Sequence, residues 1–202
     1  MQHQIKLNDA PKRFTFDQDK VYSPQETVRR FHNKLKQIDL DLLKSTIRID
    51  NGRLDIPVYF STCGVDAVKT IGTKKQMGKG GTPEQAEASA VMELAERFSF
   101  FSFAKNPNNF LSDKFINVQD RAIPFEQIAQ SVHDESDDLE VTRKIFENLP
   151  FKWTWGYNLT REQKVLVPFD WFFAINEFNG RILGHAAAEE TRDQGRPRRR
   201  AA

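Results

Sequence analysis

The sequence contains a single cysteine, Cys63, and only four histidines, at positions 3, 32, 133 and 185. One cysteine excludes an internal disulfide, and scattered histidines without paired cysteines give no zinc-binding spacing. The sequence also has no apolar run of about 18 residues and no signal-peptide pattern, so it predicts neither a membrane-spanning helix nor export. We therefore expect a cytoplasmic protein without a structural metal or a membrane partner.

Charge of one sign is also scarce, because the formal net charge is only +2. Residues 181–202 hold six arginines against three acidic residues, which leaves 24 basic against 25 acidic residues in positions 1–180. Such a balanced body excludes a specific nucleic-acid footprint. At 202 residues, of which 39% are hydrophobic and 17 are phenylalanines, the chain is long enough to bury one aromatic-rich core.

The chain is predicted to begin with a polar arm, residues 1–22, followed by a helix. Ser23 is placed as the N-cap and Glu26 as its capping-box partner, with proline at the first helical position. The apolar stripe of this helix extends it to about Lys44, and consists of Val28, Phe31, Leu35, Ile38 and Leu42.

Short β segments are expected next, in the stretches STIRID, RLDIPVYFSTCG and AVKTIGTKKQM. After a long helix that AKNPNN interrupts, residues 125–132 and 138–147 indicate two short helices. KWTWGYNL and KVLVPFDWFFAI indicate a hairpin around TREQ. The predicted fold class is mixed α/β, an α+β arrangement in which helices pack on a β-sheet.

Residues 78–82, GKGGT, precede the long helix and suggest two uses. The run is not a P-loop, because Gly80 stands where that motif has its magnesium-binding hydroxyl. Glycines followed by a helix N-terminus still favour an anion at Gly80, Gly81 and Thr82. The alternative is an ordinary turn between a strand and a helix.

The long helix is expected to start at Thr82, through a second capping box with Gln85, and to run for about five turns. Its polar residues fall in a strip roughly 80° wide: Thr82, Gln85, Ser89, Glu93 and Glu96. We expect Val91, Leu94 and Phe98 to be buried, and the two glutamates to face a cleft. The strip is either a solvated face or a Mg2+ site, because two carboxylates with nucleotide phosphates suit that ion.

The run GKGGTPEQAEASAVMELAER resembles the signature of the YcaO domain family, G-K-G-x-[ST]-x-x-x-A-x-x-S-A-x-x-E-x-x-E-R. The matching positions are Gly78, Lys79, Gly80, Thr82, Ala86, Ser89, Ala90, Glu93, Glu96 and Arg97. STIRIDNGRLDIPVYFSTCG and VPFDWFFAINEFNG are also similar to segments of the family. The resemblance makes residues 23–180 the N-terminal part of a YcaO-type domain.

The resemblance implies an ATP-dependent reaction in which a peptide backbone amide is phosphorylated on its oxygen, giving an azoline or a thioamide, or an accessory role in methylthiolation. It implies ATP and Mg2+ as cofactors, held by Lys79, Gly80, Ser89, Glu93 and Glu96, with the two glutamates as metal ligands. It names no catalytic residue. Arg97 either joins this site or pairs with the acids structurally. The implied partners are a peptide or protein substrate, a protein that delivers it, and possible self-association as a homodimer.

The sequence departs from the family after Asn179-Gly180, where a second glutamate-rich motif is expected. Residues 181–202 instead form an arginine-rich tail that Gly195 and Pro197 interrupt. We expect this tail to be disordered and the domain to be truncated at its C-terminal end. The alternative function is therefore a non-catalytic YcaO fragment that binds a partner or a peptide.

Overall fold

The computed structural model describes residues 5, 7–12, 20–131 and 139–169. The chain divides into two compact units, which are treated separately here. The first unit is Lys6–Asn106, and the second unit is Met1–Ile5 with Pro107–Ala202. Both contain helices and a small antiparallel sheet, as the mixed α/β prediction requires. The domain limits at residues 22 and 180 stay predictions, and the arginine-rich tail lies outside the described residues.

In its described residues, the first unit contains three helices and three strands. In chain order they are α1 (Pro24–Leu35), β1 (Leu43–Arg48), β2 (Val58–Cys63), α2 (Val65–Ile71), β3 (Lys75–Lys79) and α3 (Pro83–Lys105). The strands form sheet A in the order β1-β2-β3, with both neighbouring pairs antiparallel.

The start of α1 is confirmed, but the predicted end near Lys44 is wrong. The Ser23 side chain accepts a hydrogen bond from the amide of Glu26, and Leu35 is the last helical residue. Ile38 is 42% exposed, whereas Leu42 is buried at the start of β1. The helical spacing of Ile38 and Leu42 with the stripe before them is therefore coincidental.

Residues 67–71 were predicted to be part of a strand and instead belong to α2. The helix begins after Gly64 and ends at Gly72, which has a φ of 85°. Only glycine adopts this left-handed conformation without strain, and it is a common way to stop a helix. The Asp41 carboxylate accepts a hydrogen bond from the amide of Val65, which ties the start of α2 to the segment before β1.

Helix α3 packs on one face of sheet A and continues the core of the first unit. The buried core residues are Leu42, Cys63, Ala67, Ile71 and Leu94, with Phe31, Leu35, Leu43, Val68, Phe98 and Phe101 partly buried around them. Burial raises the pKa of the Cys63 thiol, and a hydrogen bond with Gln76 opposes this effect. Cys63 is 3% exposed.

The second unit confirms the predicted short helices and hairpin. Its elements are β4 (Leu111–Lys114), α4 (Phe115–Val118), α5 (Phe125–Ser131), α6 (Leu139–Asn148), β5 (Pro150–Asn158) and β6 (Gln163–Pro168). The strands form a second antiparallel sheet in the order β4-β5-β6. Its core is Phe115, Val118, Ala122, Phe125, Ile128, Phe146, Phe151, Trp153 and Leu166.

No helix in the described part of the chain is both long and apolar enough to cross a membrane. The longest, α3, has 23 residues but contains four glutamates, so it cannot be taken for a membrane span.

Candidate nucleotide and metal site

The predicted capping box at the start of α3 is present, with one difference. The Thr82 hydroxyl accepts a hydrogen bond from the Gln85 amide at 3.3 Å, as expected. The Gln85 side-chain oxygen accepts its bond from the amide of Gly81, at 2.9 Å, rather than from that of Thr82. The box is therefore widened by one residue and includes the glycine loop.

This arrangement occupies the amides of Gly80 and Gly81, two of the three residues that were expected to hold an anion. The Gly80 amide donates to the Pro57 carbonyl at 3.3 Å, and the Ala86 amide donates to the Thr82 carbonyl at 3.0 Å. The Glu84 carboxyl adds negative charge at the same helix end, where its own amide and the Thr82 hydroxyl lower its pKa. A phosphate at Gly80 and Gly81 would have to displace the Gln85 side chain.

Gly78 and Gly80 allow β3 to approach the first turns of α3. A Cβ atom at Gly78 would lie 2.1 Å from the Ala90 nitrogen and 2.4 Å from the Ala86 oxygen. A Cβ atom at Gly80 would lie 2.5 Å from the Gln85 Cβ. These contacts give both glycines a packing reason, whereas at Gly81 the nearest neighbour is a flexible side-chain atom at 3.2 Å. The ligand role of Gly80 stays a prediction.

The Lys79 side chain projects from the face of sheet A that is opposite α3. In β3 the buried residues Gln76 and Gly78 alternate with the exposed residues Lys75, Met77 and Lys79. Since successive side chains point to opposite faces, the Gly78 contact with α3 places Lys79 on the other face. The structure thus does not bring the Lys79 side chain onto the surface that carries Ser89, Glu93 and Glu96.

Helix α3 does display the predicted polar strip. Ala86 and Ala90 are fully buried, while Ser89 and Glu96, which project from the helix roughly 80° to 100° away from them, are exposed. The Glu93 side chain is 32% exposed. Val91 and Leu94 are buried as expected, and Phe98 is only partly buried. The helix is about six turns long rather than five.

A cation already neutralises one of the two carboxylates. Arg97 Nε lies 2.6 Å from Glu93 Oε1, one helical turn away. The structure therefore shows the structural pairing of Arg97 that the sequence left open. Within the described residues, Glu96 forms no ion pair or hydrogen bond, so its carboxylate remains available.

The donor set fits Mg2+ rather than a transition metal. The described residues contain no cluster of three or more His, Cys, Asp or Glu side chains that could enclose a metal ion. Mg2+ needs no such cage, since it keeps several waters and is held by one or two carboxylates together with substrate phosphates. Ser89, Glu93 and Glu96 supply hard oxygen atoms on consecutive turns, so they suit an ion that a nucleotide brings with it.

Sequence reasoning missed two residues of α3, one on this surface and one that contacts sheet A. Met92 is 45% exposed and lies between Ser89 and Glu96 on the helix, although apolar residues of a helix are usually assigned to the core. Glu87 accepts a hydrogen bond from the Thr46 hydroxyl at 2.5 Å, which joins α3 to β1. No local pattern indicates this second contact, because 41 residues separate the partners.

A family model described as YcaO cyclodehydratase, ATP- and Mg2+-binding, matches residues 77–189. The match contains the last three residues of β3, all of α3 and the described second unit apart from Ile5. Its last part, residues 170–189, lies outside the described structure. No curated protein matches the chain.

Two solved structures are similar to this chain. A heterocyclase in complex with substrate and cofactor aligns with a TM-score of 0.53 and 18% identity over 82% of this chain and 24% of its own. YcaO from Methanopyrus kandleri bound with AMPPCP and Mg2+ aligns with a TM-score of 0.48 and 21% identity over 79% of this chain and 36% of its own. This chain thus spans between a quarter and about a third of their lengths.

Proposed function

This chain belongs to the YcaO family, whose cofactors are ATP and Mg2+, and we propose that it contributes part of the site that activates a peptide backbone amide by phosphorylation. A Cys, Ser or Thr side chain or external sulfide adds to the amide carbon, and ATP would donate its γ-phosphoryl group to the resulting oxyanion, so that the oxygen leaves as phosphate. Mg2+ would balance the charge of the phosphates. The products within this proposal are an azoline or a thioamide, and its other branch is an accessory role in methylthiolation.

The observation that carries the proposal is the exposed strip of Ser89, Glu93 and Glu96 on α3. Tight packing of Gly78 against Ala86 and Ala90 fixes the rotation of this helix on sheet A, so the oxygens are held on a rigid support. Glu96 is the carboxylate that is ready to take a ligand, whereas Glu93 must first exchange Arg97 for the metal. Arg97, once released, is a cation within reach of bound phosphates.

Met92 adds an apolar contact to the same surface. Nucleotide sites combine a few placed polar groups with apolar side chains that cover the base. Met92 stands one turn from both Ser89 and Glu96, so it offers a thioether to the ligand beside the oxygens that hold its phosphates. Lys79 and Gly80 remain in the proposal as phosphate contacts, although Lys79 must reach around the end of β3 to take part.

We propose that this chain binds Mg-ATP weakly by itself and turns it over slowly. The missing glutamate-rich motif would supply further ligands, and each charge-assisted hydrogen bond that a nucleotide lacks is worth about 1.5 to 3 kcal/mol. A peptide or protein substrate, a delivery protein, a homodimer and a cytoplasmic location are parts of the same proposal. The similar heterocyclase was solved with its substrate, which supports a peptide substrate.

Isothermal titration calorimetry with Mg-ATP tests the proposal. Glu96→Gln should weaken binding about tenfold or more, since it removes a charged ligand. Glu93→Gln should weaken it less, because the native carboxylate must first leave Arg97. Glu140→Gln, a matched change at an exposed glutamate of α6, should leave the affinity unchanged.

Equal affinities for the native chain and both strip variants would contradict the metal site, and would leave the carboxylates as a solvated face. That result, together with peptide binding that needs no nucleotide, would favour the alternative function of a non-catalytic binding module. The ion pair between Arg97 and Glu93 is the observation that supports this alternative, because it satisfies one carboxylate without a metal.

A further inference from the structure

Sheet A has a second surface, which shares only Lys79 with the proposed nucleotide site. The face opposite α3, called the outer face here, follows from the strand registers and carries three residues from each strand. They are Ser45, Ile47 and Ile49 from β1 and its extension, Val58, Phe60 and Thr62 from β2, and Lys75, Met77 and Lys79 from β3. An antiparallel sheet that has one face on its own core usually presents a polar second face.

Five of the nine residues of the outer face are apolar instead. Its middle row is Ile47, Phe60 and Met77, which lie side by side in the registers of the three strands. Ile47 and Met77 are each 51% exposed, and Ile49 is 41% exposed. A contiguous apolar patch of this kind on a folded unit marks an interaction surface.

The charges on the outer face are of one sign. Lys75 and Lys79 both lie on β3, and the Lys75 ammonium is 5.0 Å from the centre of the Phe60 ring. None of the nine residues of this face is acidic. Such a surface is complementary to a partner that offers apolar side chains beside carboxylates.

We propose that the outer face of sheet A docks an amphipathic helix of another protein, with an apolar stripe over Ile47, Phe60 and Met77 and acidic residues along β3. A helix satisfies its own backbone hydrogen bonds, whereas an extended segment lying across the face of a sheet leaves its amides unpaired. A helix is therefore the element that can cover this surface. The surface lies away from α3 and does not depend on nucleotide binding.

Two other occupants fit the outer face less well. A second copy joined face to face would bring the lysine-bearing edges into one interface, which contains no carboxylate to pair with them. An anionic bilayer would attract two lysines only weakly. The apolar side chains stand on a flat, pleated surface, with Phe60 and Val58 already partly buried, so they do not project into a bilayer.

The test uses the full chain labelled with 15N and two synthetic helical peptides of about 18 residues that share one leucine stripe. The stripe is flanked by glutamates in one peptide and by lysines in the other. We expect the acidic peptide to bind about tenfold or more tightly than the basic one, and to shift the amide resonances of β1, β2 and β3. Lys75→Glu with Lys79→Glu should reverse the preference.

Met77→Gln should weaken binding of the acidic peptide. Met92→Gln, the same change on the exposed side of α3, should leave that binding unchanged. Circular dichroism confirms that each variant is folded, and all four positions involved are exposed. Equal binding of both peptides, binding of neither, or shifts confined to the second unit would overturn the proposal. So would a dimer that Met77→Gln dissociates in light scattering, or cosedimentation with phosphatidylserine vesicles in the absence of peptide binding.

Discussion

In the first unit glycine, alanine and serine make the closest contact between helix and sheet, whereas aromatic rings fill the second unit. Gly78 meets the backbone of Ala86 and Ala90, and the Ser61 hydroxyl donates to the Ala90 carbonyl at 2.8 Å. In the second unit the Phe146 ring lies 4.8 to 5.3 Å from the rings of three other phenylalanines. The stability of the first unit thus depends on how closely two backbones approach each other. The stability of the second unit depends on how completely large side chains fill its core.

Trp153→Ala should have the largest effect, because it empties the centre of the second unit. Trp153 is fully buried, and its indole nitrogen donates to the Asp113 carbonyl at 2.9 Å. Truncation of a buried aromatic residue costs about 3 to 5 kcal/mol. Native-state hydrogen exchange, which gives an opening free energy for each segment, should show the loss in β5 and β6. A loss of equal size in α3 would mean that the two packing schemes are not separable.

Gly78→Ala should cause the next largest loss of stability, and this loss should be in the first unit. The added methyl group would meet backbone atoms of α3, which cannot rotate away, so β3 and α3 must separate. Overpacking of this kind costs about 1 to 3 kcal/mol. The matched control is Gly81→Ala, whose nearest neighbour is the movable Gln85 side chain. Urea denaturation that gives both variants the same midpoint would disprove the close-approach explanation.

Ser61→Ala should cost less, about 1 kcal/mol, because it removes one buried hydrogen bond and almost no volume. The Ser61 side chain is completely buried, so the Ala90 carbonyl loses a partner that water cannot easily replace. Ser99→Ala on the exposed side of α3 provides the comparison. Thermal unfolding should rank Ser61→Ala between Ser99→Ala and Gly78→Ala, and an unchanged midpoint would show that the hydroxyl adds nothing.

The smallest effect on stability is expected when the Asp50 carboxylate, at the edge of sheet A, becomes protonated at low pH. The Arg48 guanidinium and the Val58 amide hydrogen-bond the Asp50 carboxylate, and hold its pKa well below the ordinary range. Since the pKa is lower in the folded chain, this carboxylate stabilises the fold above about pH 4, and its contribution is lost as the pH falls toward the lowered value. Asp50→Asn should therefore flatten the fall in stability below about pH 4.

The matched change for this pH dependence is Asp120→Asn, since the Asp120 side chain is 75% exposed. The Asp120→Asn variant should keep the native pH curve, measured as urea midpoints across the acid range. A curve that Asp50→Asn leaves unaltered would mean that the ion pair with Arg48 also persists in the unfolded chain.

The helix ends that could be predicted were those marked by a local signal. Capping boxes placed the starts of α1 and α3, and AKNPNN placed the end of α3. Helix α2 was missed because Val65, Val68 and Ile71 favour strands. Its signals were Gly64 before it, Asp66 in its first turn and Gly72 after it. The two glycines that enclose these seven residues mark the short helix better than the composition between them does.

In the candidate site, the strip of Ser89, Glu93 and Glu96 could be predicted because one helix carries all of it, and helical periodicity is a local property. The position of Lys79 could not be predicted, since it depends on which face of β3 packs against α3. That choice is made by Gly78, whose missing side chain gives no hydrophobic signal in the sequence. The roles assigned to these residues stay predictions.

The burial of Cys63 makes the thiol of this chain a reporter of its own unfolding. A thiol that is 3% exposed and has a raised pKa offers little thiolate to an alkylating reagent while the first unit stays folded. Since the chain has no other cysteine, any alkylation counts openings of the core around Leu42 and Leu94. Because the buried Cys63 thiol reacts little in the folded chain, a cysteine introduced on the outer face of sheet A can be labelled selectively with a fluorophore.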